Sequence, residues 1–216
     1  QELTTLETNA GEDASDKALM KLGIGWYLLG KHSHAYDFLL PLTSDALALY
    51  HLGEVCISLD RYAEAGQHFA AAAANGGDPI ECVLQQVGAI RQAGQLQASE
   101  KLLRSIAQKA VSRADYSFQM GCILADQGDT LGAIEYFERA VDMDPHHTRA
   151  LFWLANENDR LGNDDEAILL YERALSKPPM YVGALLNLGV LYEDAERYDQ
   201  AAFCFRRVLE ANSQNE

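Results

Sequence analysis

Paired histidines, scattered thiols and short runs of carboxylates are the side chains of this sequence that could do chemistry. His32-Ser33-His34 and His146-His147 offer imidazole nitrogens of the kind a metal site uses. Such a site needs three or four ligands in fixed geometry. These histidines fall in separate turns with no local partner, so they are expected as solvated loop residues and no metal site is expected. Cys56, Cys82, Cys122 and Cys204 lie far apart, with no C-x-x-C. That spacing reads as free structural thiols, buried or half-buried, in a reducing compartment. Asp164-Asp165-Glu166 reads as charge placed at the positive end of a helix, and Glu193-Asp194 is a second short acidic run. No Ser–His–acid or Cys–His set shares a local signature, and no glycine-rich phosphate loop is present. The expectation is a non-enzyme with no catalytic residue and no cofactor.

Composition narrows the partners. The chain has 216 residues, 48% of them hydrophobic, a formal charge of −15 and a pI near 4.7. A phosphate backbone is a poor partner for such a surface, so nucleic acid is not expected; the charge serves solubility. No apolar run approaches the roughly 18 residues of a membrane span, and no basic-then-apolar leader opens the chain. A cytoplasmic protein is expected. The first residue is Gln, which suggests a segment of something longer or a processed chain. The charge is uneven: Arg91, Lys101, Arg104, Lys109 and Arg113 make residues 80–113 basic, whereas 114–147 is acidic around Arg139.

The elements that must position these groups are clearest between Thr148 and Tyr181. Leu151, Leu154 and Ala155 recur at helical spacing. Gly162 breaks the helix, as a residue tolerant of positive φ does at a C-terminus. Asn163 or Asp164 can cap a second helix, whose inner stripe is Ala167, Tyr171 and Ala174 and which Pro178-Pro179 should end. The pattern returns about 34 residues on, the period of one helix–turn–helix repeat class. Downstream, Leu185, Leu188, Gly189, Tyr192, Ala201, Phe205 and Val208 fall in register. Upstream, Met120, Gly121, Gly128, Ala133, Phe137, Ala140 and Pro145 do the same.

These residues resemble the tetratricopeptide repeat. The resemblance implies an all-α fold, an α–α superhelix of about six antiparallel helix pairs. The repeats read as 16–45, 46–79, 80–113, 114–147, 148–181 and 182–215. The acidic segment 1–15, with Leu3 and Leu6, reads as the end of a preceding helix followed by a turn. The first repeat is about one helical turn short, and Pro41 should truncate or kink its second helix. The third departs most from the pattern, with Gln86 in a leucine place.

The resemblance further implies that the first helix of each pair lines a concave groove and that its fifth residue points inward. Those residues are Met20, Tyr50, Leu84, Phe118, Phe152 and Leu186, followed a turn later by Cys122 and Asn156 among others. The candidate peptide-binding set is Tyr50, Leu84, Arg91, Phe118, Gln119, Cys122, Phe152, Asn156, Asp159 and Leu186. Two readings stay open: an apolar groove rimmed by polar groups, or side chains that pack on their neighbours and never meet water. With no lysine at any fifth position, the family's grip on chaperone C-terminal carboxylates is not expected.

The implied function is a protein-binding scaffold or adaptor that receives a peptide or helix. One alternative is self-assembly, with a homodimer through the C-terminal edge, where Ala202, Phe203 and Leu209 lie on outward positions. Another is a recruiting domain of a larger bacterial regulator, because Leu185–Asn212 is similar to arrays that precede RNA polymerase α C-terminal-type domains.

Overall fold

The computed structural model describes residues 15–177 and 181–213. The expected N-terminal segment, apart from Ser15, and the Pro178-Pro179 stop lie outside the described residues. Among those described the chain is all-α, with thirteen helices and no strand. They are α1 (Asp16–Leu28), α2 (His32–Leu39), α3 (Ala46–Ser58), α4 (Tyr62–Ala74), α5 (Pro79–Gln92), α6 (Leu96–Ser105), α7 (Ala107–Ala110), α8 (Ala114–Asp126), α9 (Thr130–Met143), α10 (Thr148–Arg160), α11 (Asp164–Ala174), α12 (Val182–Asp194) and α13 (Tyr198–Ser213).

Local chemistry sets the helix ends. Asp45 caps α3 by accepting from the Ala48 amide at 2.9 Å. Asp78 caps α5 through the Ile80 and Glu81 amides, with Pro79 in the first turn, where its missing N–H costs nothing. α2 stops at Leu39, ahead of Pro41, as expected. The turn inside each helix pair needs a left-handed residue. Gly30, Gly94, Gly128 and Gly162 supply it, while Asp60 and Glu196 adopt φ 58° in the equivalent places. Tyr62 steadies Asp60 by donating to its carboxylate at 2.6 Å.

Pairing depends on a small residue under a large one. A Cβ added to Gly121 would lie 2.6 Å from Cε1 of Phe137, and one at Gly53 would lie 2.7 Å from Cε1 of Phe69. Gly189 stands to Phe205, and Gly23 to Leu39, in the same way. In the fifth pair Ala155 and Tyr171 take these places, both with no exposed surface. Phe69, Phe137 and Tyr171 are the largest fully buried side chains.

The described helices group into two compact units divided between Lys109 and Ala110, within α7. The division falls in the least regular repeat, where the helical run is broken at Ile106. In the first unit α1 to α6 pack each on the next, around Leu39, Leu52, Val55 and Phe69. In the second, α8 to α13 do so around Phe137, Leu151, Leu154, Tyr171 and Leu188.

Candidate peptide-binding site

Four of the ten candidate residues are not on a surface. Leu84, Phe118, Gln119 and Cys122 are buried, and α8 is buried continuously from Tyr116 to Ile123. The Phe118 ring is covered within its own unit by Phe137, by His147 and by the Arg149 guanidinium, which lies 4.9 Å from the ring centre. These four therefore answer to the second reading of the inward-pointing residues: they are core. Gln119, expected on the rim, is carried inside because α8 has no solvent face along this stretch.

His147 corrects a second expectation. Its side chain is 9% exposed and is no loop ornament. Nδ1 accepts from the Ala150 amide at 3.1 Å, capping α10, and Nε2 lies 3.2 Å from Asp115 Oδ1. With Nδ1 accepting, the proton sits on Nε2 and is donated to Asp115. That hydrogen bond, with the neighbouring Arg149 and Arg113, holds the Asp115 carboxyl below its ordinary range. His146 is exposed, as expected.

In the first unit, half-buried Tyr50 and Arg91 remain of the candidate set. Tyr50 stands at the edge of a recess of about 390 Å³ formed by the start of α3 and the loop into α5. Its hydroxyl donates to Glu81 at 3.3 Å, and its ring meets Phe69 edge-on at 5.4 Å. Burial first, then Glu81 and Glu54, push the phenol upward from its ordinary pKa. Leu47, 52% exposed, forms part of the same recess.

The second unit presents the richer face. Phe152, Asn156 and Asp159 lie at successive turns of α10, all half-buried, and Leu186 and Val190 on α12 are exposed. Tyr181 stands edge-on to Phe152 at 4.7 Å, and the ring also touches Trp153 and Tyr171. The Asn187 carboxamide donates to the Tyr171 hydroxyl at 2.9 Å, and the Asn156 side chain lies near the same hydroxyl. Asn187 and Tyr171 escaped the sequence reading as site residues. Tyr171 reads as core, and only the packing of α11 on α12 brings it under Asn187.

Beyond Asn156 the face becomes acidic. Asp164, Asp165, Glu166 and Asp194 line a recess of about 610 Å³ between the two turns. Burial and then the charges of Asp164 and Asp194 raise the Asp159 carboxyl above its ordinary pKa. Glu157 on the same helix is buried, with both oxygens 3.2 Å from the Arg160 guanidinium. At the C-terminal edge a third recess, of about 420 Å³, is rimmed by Leu188, Phe203 and Arg207.

One cluster lies apart from all these. Cys56, Glu64 and His68 bring a thiol, a carboxylate and an imidazole within 4.8 Å of one another. The sequence held half of the signal, since Glu64 and His68 are one helical turn apart; the approach of Cys56 from α3 is tertiary. Burial pushes the Cys56 thiol up to about 11 and lowers His68. All four cysteines are buried and none forms a disulfide.

The repeat geometry defines the class of protein, and the family follows. A Tetratricopeptide repeat model matches residues 33–79, 118–179 and 160–216; the chain belongs to the tetratricopeptide repeat family. Over 95 residues it is 30% identical to the probable UDP-N-acetylglucosamine–peptide N-acetylglucosaminyltransferase SPINDLY of Hordeum vulgare, covering 41% of this chain. It spans 10% of the length of that relative. The crystal structure of a tetratricopeptide repeat protein from Parabacteroides merdae superposes with a TM-score of 0.75 at 13% identity, covering 96% of this chain and 84% of that one. A chain of the APC/C hetero-tetramer Cut9–Hcn1 gives 0.72 at 15% identity, over 100% of this chain and 44% of that one. At such identities the likeness shows the fold. No helix among the described residues is long and apolar enough to cross a membrane.

Proposed function

We propose that this is a non-enzymatic, cytoplasmic adaptor whose α10–α12 face takes an extended peptide carrying a basic side chain. The carboxamides of Asn156 and Asn187, meeting at Tyr171 beside exposed Leu186 and Val190, carry the reading. Each carboxamide has two donors and an acceptor, the complement of an extended backbone that alternates N–H and C=O. Leu186 and Val190 offer apolar contact, and Asp159 with Asp194 attracts a cation. Membership of a family built for protein contacts supports the reading, as does the fold's likeness to a chain solved in the Cut9–Hcn1 hetero-tetramer.

The test is selection from a random peptide library on the wild-type chain, followed by binding to Asn187→Ala, Leu186→Glu and Asp159→Asn. Selected peptides should carry Lys or Arg. Leu186→Glu and Asn187→Ala should each weaken them at least tenfold, and Asp159→Asn should flatten the salt dependence. Peptides that bind all three variants like the wild type would refute this face.

A second reading rests on the C-terminal edge. Phe203 is 54% and Leu209 69% exposed on α13, beside the recess rimmed by Leu188 and Arg207. A homodimer through this edge would cover them. Sedimentation across micromolar concentrations should then show a dimer that Phe203→Glu dissociates; a wild-type monomer throughout would end this reading.

A further inference from the structure

We infer that Cys56, Glu64 and His68 form a zinc-binding site that clips α3 to α4 in the first unit. Sulfur, imidazole nitrogen and carboxylate oxygen are the three ligand types zinc takes from proteins, and their ligand atoms here already lie within 4.8 Å of one another. Ligands of tetrahedral zinc stand roughly 3.5 Å apart, given bonds of about 2.0–2.3 Å. Closing the set therefore needs a shift of about an ångström, which the half-exposed Glu64 side chain can supply from rotamer freedom alone.

The scaffold is stiff where it must be. Glu64 and His68 share one face of α4 at the i, i+4 spacing. Cys56 is presented by the last turn of α3, on a base of fully buried Ala65, Phe69 and Ala89. Tyr36 donates to Glu64 Oε2 at 3.3 Å, the outer hydrogen bond that orients a ligating carboxylate. Arg61 stands 3.7 Å from the same oxygen, and its guanidinium lies 4.6 Å from the centre of the Tyr36 ring. On binding, the ion displaces Arg61 from the carboxylate.

Charge balance favours zinc over the hard divalent cations. A thiolate and a carboxylate together neutralise a doubly charged ion, so the half-buried site holds no net charge. Magnesium and calcium prefer sets made of oxygen. As the metal–sulfur bond forms, the S–H bond breaks and its proton leaves to solvent. Three protein ligands leave the fourth position to water, and solvent reaches the site on the Glu64 side.

Cobalt(II) is the probe, because a cobalt–thiolate bond announces itself by charge-transfer absorption. Titrating the whole chain with cobalt should produce that band together with the visible bands of a tetrahedral ion, saturating at one equivalent and erased by zinc. Cys56→Ala and His68→Gln should each abolish the charge-transfer band while keeping the wild-type circular dichroism. His68→Gln, half-buried and conservative, decides alone if Cys56→Ala fails to fold. Absence of the band in the wild type overturns the site, as does its persistence in His68→Gln. Cobalt binding without a sulfur band, as surface histidines such as His34 or His146 would give, overturns it equally.

Discussion

The imidazole of His147 lies with its centre 5.1 Å from that of the Phe118 ring, tilted by 36°. This contact joins the start of α10 to the middle of α8 and gives Phe118 a lid. Its counterpart one repeat later, Phe152, meets Tyr181 instead and stays partly open. Side chains in the same register position thus have different fates.

Truncating the two rings should separate those fates. Phe118→Ala removes a buried ring and is expected to cost about 3–5 kcal/mol of stability. Phe152→Ala should cost less, about 2 kcal/mol, since part of its surface is already in water. Chemical denaturation of both variants checks the order; equal losses would show that Phe152 is as much a core residue as Phe118.

The His147–Asp115 pair predicts a pH dependence. The Asp115 carboxyl is depressed in the folded chain below its ordinary 3.8. The unfolded state therefore takes up the proton first as pH falls. The stabilisation is complete above the ordinary value and is lost as pH drops through the depressed one. Asp115→Asn should lower stability at neutral pH and flatten its acid dependence. His147→Ala should add the loss of the α10 cap, about 1 kcal/mol. Denaturant midpoints between neutral and strongly acidic pH give the answer, and parallel curves for wild type and Asp115→Asn would contradict it.

Glu196 adopts φ 58° at a turn where four of the six pairs use glycine. A left-handed conformation costs a residue with a Cβ roughly 1–2 kcal/mol, and glycine escapes that cost. Glu196→Gly should therefore stabilise the chain by about 1 kcal/mol despite its greater freedom when unfolded. A drop in melting temperature would show that the glutamate side chain contributes more than its backbone strain costs.

Asp159 should show a conflict between folding and binding. Its carboxyl is raised by burial and by Asp164 and Asp194. Ionisation destabilises the fold above the folded pKa, and that penalty disappears as pH falls to the ordinary value. Asp159→Asn should stabilise the chain at neutral pH by about 0.5 kcal/mol, the scale of a like-charge contact. The same variant should weaken basic peptides. Thermal unfolding at neutral pH measures the first effect, and a lower melting temperature would contradict it.

The sequence by itself determined the helix pairs and their internal packing, because the information is short-range. Helical stripes, turn residues such as Gly128 and Gly162, and pairs such as Gly121 beneath Phe137 lie within one repeat and recur at a fixed period. Only the tertiary structure decided which inward-pointing residues meet solvent. Phe118 and Phe152 look alike in sequence, but His147 and Arg149, from the next helix pair, close over the first. The same holds for Asn187 over Tyr171 and for Cys56 beside Glu64 and His68. Each depends on the distance between separate helices, which side-chain volumes and packing set and residue spacing does not.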